Sequence, residues 1–149
     1  MDDVRLSAES LTGYVLEDLS VGMTAVFAKT VTEADVVLFA GVSGDTNPVH
    51  INDDYARTTM FKGRIAHGML TAGLISAVLG TKLPGPGCIY LSQSLKFKAP
   101  VHIGATVEAR VVITEIIPEK RRVIARTVCT VGETVVIEGE AVLMVPSRG

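Results

Sequence analysis

Asp45 and His50 have complementary proton chemistry and stand five positions apart, joined through Thr46, Asn47, Pro48 and Val49. Asn-Pro favours a turn, and proline pushes the residue before it towards an extended backbone. That path can bring an acid and an imidazole round to one point. Held in an apolar cleft, such a pair is suited to positioning a water molecule and taking its proton. The residues also fit a plainer arrangement, in which Asp45 only closes an Asx turn and His50 is a partly exposed loop residue. His67-Gly68 is the second candidate, at the start of a long apolar stretch. In the first turn of a helix, unpaired backbone N–H groups and the positive end of the dipole face outward. A carbonyl oxygen gathering negative charge would be stabilised there, and a glycine lets it approach closely. The alternative is that Gly68 only permits tight packing, with His67 as a cap. Ser76, on the same helix, either bonds back to a carbonyl of its own helix or faces the cleft.

Other chemistries lack their residues. The three histidines show no HxH or HExxH spacing, so no metal site is expected. Residues 80–87, GTKLPGPG, are interrupted by proline and precede a strand, the wrong context for a phosphate loop. There is no GxSxG and no Cys-His arrangement, which argues against a covalent nucleophile. Cys88 and Cys129 lie far apart and read as reduced core residues of a cytoplasmic protein.

Several elements must position these groups. Residues 23–31 alternate as a strand. Thr32-Glu33-Ala34-Asp35 resembles a capping box opening a short helix that Gly41 and Gly44 end. Asn52 can cap a brief helical turn over residues 53–57. The longest helix runs from His67-Gly68 to Gly80, with apolar residues all round its axis, the pattern of a helix buried on nearly all sides. Residues 89–99, 106–116, 122–131 and 134–145 alternate with many β-branched residues and read as four strands. Short links between them imply antiparallel neighbours. The segregation of helices from strands marks the α+β class, with a curved antiparallel sheet of about five strands wrapped round the helix. Residues 1–20 read as an N-terminal arm, pinned by Tyr14, Leu16 and Leu19, and residues 21–149 as one domain.

The chain has 149 residues, 48% of them apolar and 20% charged, with a net charge of −2, which excludes a disordered chain. No basic cluster marks a nucleic-acid face. The acidic start carries no apolar run of the signal-peptide kind, and residues 66–80, though uncharged, are too short to cross a membrane.

Residues 39–50, FAGVSGDTNPVH, followed by Ala56, resemble the hydratase 2 motif of the MaoC-like (R)-specific enoyl-CoA hydratases. Residues 61–70, FKGRIAHGML, are similar to that family's entry into its central helix, and residues 83–97, LPGPGCIYLSQSLKF, to its next stretch. The resemblance covers roughly residues 21–145. It implies a hot-dog fold, an antiparallel sheet wrapped round a long central helix, and a homodimer with sheets joined edge to edge. It places the family's catalytic aspartate and histidine on Asp45 and His50. The helix-start glycine whose N–H receives the thioester oxygen falls on Gly68, and a supporting serine on Ser76. Asn47 and His67 complete the expected substrate contacts. Some relatives have aspartate where this chain has Asn52. The implied reaction is reversible hydration of a short trans-2-enoyl-CoA, such as crotonyl-CoA, to an (R)-3-hydroxyacyl-CoA, with a link to polyhydroxyalkanoate synthesis. No cofactor is needed beyond the CoA thioester that is the substrate. Lys62, Arg64, Lys96, Lys98, Arg121 and Arg122 are the cations available to the CoA phosphates. The competing readings are a hot-dog thioesterase and a non-catalytic acyl-CoA-binding protein.

Overall fold

In a computed structural model, residues 11–149 are described. Residues 1–10, which carry the acidic start, lie outside the described residues. After a short 3-10 turn at Leu16–Asp18 come β1 (Thr24–Thr30), α1 (Glu33–Ser43), α2 (Pro48–Ile51), α3 (Asp53–Arg57) and α4 (Gly68–Thr81). Five strands follow: β2 (Ile89–Gln93), β3 (Lys96–Phe97), β4 (Thr106–Ile117), β5 (Arg122–Val131) and β6 (Thr134–Met144). All pair antiparallel in one six-stranded sheet, in the order β1-β4-β5-β6-β2, with β3 also on β6. This is the hot-dog arrangement, α+β in class, with α4 packed against the sheet.

Small side chains on the central strands let the helix come close. Ala125 and Ala141 are register partners on β5 and β6, and Ala109 faces Cys129 across β4 and β5. All four are buried, in one core with Ile75, Val78 and Leu79 of α4. A second cluster joins Leu16 and Leu19 to Leu83, Ile113, Val123 and Val145. Leu16 and Leu19 thus pin the end of the arm to the body. Tyr14 is 42% exposed and holds on through its backbone N–H, donated to the Pro84 carbonyl at 2.8 Å.

Two expectations change. The first concerns α4, which is buried on one side only. Thr71, Ile75, Val78 and Leu79 are covered, whereas Met69, Gly73, Ser76 and Gly80 are exposed. The sheet packs on one face of the helix, and nothing else among the described residues covers the other. The second concerns residues 89–99, which form two strands because the ladder breaks at Ser94-Leu95, giving six strands in place of about five. Ser94 donates its N–H to the Glu140 carbonyl (2.9 Å) and accepts the Glu140 N–H on Oγ (3.0 Å). It crosses so close to β6 that a Cβ on Gly139 would fall 1.8 Å from the Ser94 carbonyl oxygen.

The capping box forms as read. Thr32 Oγ1 accepts the Asp35 N–H at 3.1 Å, and Asp35 Oδ2 accepts the Thr32 N–H at 2.9 Å. Lys29 Nζ, 2.6 Å from the same carboxylate oxygen, together with that N–H holds the Asp35 carboxyl below its ordinary value. A depressed carboxylate stabilises the fold above its unfolded value and loses that contribution as pH falls. Gly44, at φ 80°, ends α1 in the left-handed region and turns the chain into Asp45.

Candidate active site

Asp45 leaves α1 on a rigid path. Its N–H donates to Ser43 Oγ (3.1 Å), and the Ser43 hydroxyl donates to the Phe39 carbonyl (2.7 Å). Asp45 Oδ1 accepts the Asn47 N–H at 3.2 Å, so the Asx turn is real and occupies one carboxylate oxygen. Asn47 then caps α2, its Oδ1 accepting the Val49 N–H at 3.2 Å with Pro48 in the first turn. That short helix carries His50. The turn is the device that presents the carboxylate and the imidazole, so the plain reading and the chemical one are compatible.

His50 is buried, with 8% of its surface exposed. Its Nδ1 lies 2.7 Å from the Ile65 carbonyl oxygen. A carbonyl only accepts, so Nδ1 carries the proton, and in neutral His50 the other nitrogen, Nε2, has a bare lone pair. Nε2 has no partner among the described residues and keeps some exposure. Arg64 secures the backbone behind it. Its Nε donates to the His50 carbonyl (2.7 Å) and its Nη1 to Glu33 Oε1 (2.7 Å), while its side chain is only 9% exposed. Arg64 is therefore committed to these partners inside the fold. Arg64→Leu is expected to cost about 1–3 kcal/mol, since it strands the His50 carbonyl and leaves the Glu33 carboxylate without its guanidinium. Urea unfolding would measure the loss.

His67 caps α4 by position but not through its side chain. Its Nε2 reaches back 2.8 Å to the Asp45 carbonyl oxygen, 22 residues upstream. Its ring stacks on that of His50, with centroids 3.8 Å apart and planes 27° apart, and packs at 4.8 Å against Phe39. Asp45, His50 and His67 thus bring one ligand-type atom each within 4.8 Å of one another. The stacking works against a shared metal ion, because an ion binds imidazole nitrogen in the ring plane and these planes lie nearly parallel. His67 was a candidate on its own spacing; its contacts with Asp45 and His50 had no signal in the sequence, because chain folding alone brings residue 67 to residue 45.

A cavity of about 570 Å³ opens beside these groups. Asp45, His67 and Gly68 line it, with Met60, Phe61, Ile65, Phe97 and Val101 among its apolar wall. His50, stacked on the wall residue His67, is not itself on the wall, and two expected contacts also lie elsewhere. Asn47 is spent as a cap and is not on the wall. Ser76 lines a separate groove of about 380 Å³ on the bare face of α4, with Gly73, Tyr90 and Gln93; Met69 borders both spaces. Among the available cations, Lys98 lies on the cavity wall, 3.2 Å from Glu138.

Gly68 is the first residue of α4, where N–H groups are left without helical acceptors. A Cβ there would sit 2.6 Å from Cε1 of the Phe97 ring, which also walls the cavity. The glycine therefore serves packing and leaves the helix start open. Gly68→Ala is expected to drive the half-exposed Phe97 ring into the cavity. Activity should fall at least tenfold, against a stability loss of about 1–3 kcal/mol. Thermal unfolding and turnover measured on one preparation check both.

The hot-dog fold and the acid–imidazole pair beside a helix start point to one group of proteins. Residues 20–137 match the family model of the MaoC like domain. The chain is 62% identical to the (R)-specific enoyl-CoA hydratase of Rhodospirillum rubrum, over 97% of this chain and 100% of that protein. It is 53% identical to the 3-hydroxybutyryl-CoA dehydratase of Methylorubrum extorquens, over 89% and 84%. The solved structure of the (R)-hydratase from A. caviae involved in PHA biosynthesis superposes with a TM-score of 0.85 at 43% identity, covering 87% of this chain and 99% of that one. The chain belongs to the MaoC-like domain family.

Proposed function

We propose that this chain is a hydro-lyase that adds water reversibly to a trans-2-enoyl-CoA, giving an (R)-3-hydroxyacyl-CoA. The observation that carries the reading is the His50 imidazole with one ring nitrogen within 4.8 Å of an Asp45 carboxylate oxygen, its Nδ1 on the Ile65 carbonyl and its Nε2 without a partner among the described residues, near the α4 start. The thioester oxygen sits at the Gly68 N–H, where charge gathers as C3 is attacked. Asp45 and His50 hold the water. With Nδ1 locked as a donor, neutral His50 has no proton on Nε2, and an ionised Asp45 has none either. Both therefore begin as acceptors. The proton taken from water is the one delivered to C2, on the face where the hydroxyl joins C3. Water adds as OH and H, and the protein ends unchanged.

The acyl group we assign is short, of the crotonyl class, supported by the relative named for 3-hydroxybutyryl-CoA. A role in supplying polyhydroxyalkanoate monomers is supported by the A. caviae likeness. The chemistry asks for no cofactor besides the substrate's thioester. We assign a homodimer, in which a second copy covers the bare α4 face and the outer edge of β2, where Ile89 is 54% and Leu91 41% exposed. The unpaired thiols of Cys88 and Cys129 support a cytoplasmic setting. Among the described residues no helix is long and apolar enough to cross a membrane.

The test is to mix the protein with crotonyl-CoA and follow free thiol and enoyl absorbance together. Loss of absorbance without thiol release supports hydration. Thiol release would mean that the water attacks the carbonyl carbon. Stoichiometric binding with neither signal would mean a carrier.

A further inference from the structure

We infer that His67 is a positioning residue for the acid–imidazole pair, not a contact to the substrate. Its ring touches both members of the pair: Nε2 donates to the Asp45 carbonyl at 2.8 Å, and the ring face stacks on His50 at 3.8 Å. Phe39 also packs against the ring, with centroids 4.8 Å apart. Only 1% of His67 is exposed. Its remaining nitrogen, Nδ1, is buried and has no partner among the described residues. A sealed nitrogen can neither contact a ligand in the cavity nor exchange a proton with it, although the residue forms part of the cavity's wall. This separates the two histidines: His50 keeps an unpartnered Nε2 that is not fully buried, and His67 keeps no such nitrogen. One rigid ring thereby sets the distance between a backbone segment arriving from α1 and an imidazole arriving from α2. Leaving a buried nitrogen unpaired costs stability, which is the mark of a group kept for where it sits.

The inference rests on the Asp45/His50 reading, and two variants divide its parts. His67→Gln keeps an N–H donor near the place of Nε2 and loses the ring; His67→Phe keeps the ring and loses the donor. Each is expected to lower kcat for crotonyl-CoA tenfold to about a hundredfold, the scale of an ångström-level misplacement, while KM stays within about twofold. Adding His67→Phe to His50→Gln should lower kcat by less than about threefold more, because the ring acts through the group already removed. A rise in KM with kcat unchanged would overturn the inference in favour of a substrate contact. So would fully multiplicative losses in the double variant, or wild-type kcat in both single variants. If either variant fails to fold, the other still decides. Failure of the underlying reading looks different: His50→Gln alone would then turn over normally, whatever residue 67 is.

Discussion

Asp45→Asn and His50→Gln should each lower kcat/KM for crotonyl-CoA by about 10²–10⁴-fold, the range that a positioned acid–base group contributes. The two should fail for different reasons. Asparagine at position 45 preserves the turn, because its side-chain oxygen can still accept the Asn47 N–H that Asp45 accepts at 3.2 Å. The fold and the placement of His50 are retained, and only the carboxylate that the proposed mechanism sets against the water is lost. Glutamine at position 50 loses the imidazole whose Nδ1 sits on the Ile65 carbonyl and whose Nε2 is left bare. It removes the group able to take water's proton and pass it on. Circular dichroism should be unchanged for both variants. In the proposed mechanism the two groups act on one water, so the double variant should be little worse than the poorer single one. Near-normal turnover in either well-folded single variant would remove that residue from the mechanism.

The second large effect concerns the fold. Gly139→Ala is expected to destabilise the protein by about 3 kcal/mol or more, lowering Tm by on the order of 10 °C. An ordinary strand glycine gains stability on going to alanine, by roughly 0.5–1 kcal/mol. Here the sign reverses. The new methyl would meet the Ser94 carbonyl oxygen at 1.8 Å and its carbon at 2.8 Å, both backbone atoms with no rotamer to yield. Relief requires β6 and the β2–β3 crossing to part, which breaks the Ser94–Glu140 hydrogen bonds. Thermal unfolding of Gly139→Ala beside Gly132→Ala, whose added Cβ would meet nothing within 4 Å, measures the difference; the φ of 58° at Gly132 sets a modest strain baseline.

What could be read from the residues followed from local rules. The capping box at Thr32 and Asp35, the cap at Asn52 and the three long strands each depend on neighbours in sequence, and each formed. The turn through Asn47-Pro48 is equally local, and it brought Asp45 to His50 as expected. The rest depended on distant partners. That α4 is bare on one side follows from how far six strands curve, which its apolar residues do not encode. The break at Ser94 follows from its approach to Gly139, 45 positions away. His67 stood out only as a histidine before a helix; its hold on Asp45 and His50 is a product of the assembled fold. Ser76 sits on the face of α4 turned from the cavity, a placement that the apolar composition of the helix could not assign.

The most direct test of the central claim reads the stereochemistry of the product. The protein is given crotonyl-CoA, the conjugated absorbance is followed to equilibrium, and the product is offered to dehydrogenases of known handedness. Catalytic loss of the enoyl signal, with product oxidised only by the (R)-specific enzyme, is the predicted result. Product taken by the (S)-specific enzyme, or an enoyl signal that persists at high protein concentration, would contradict it.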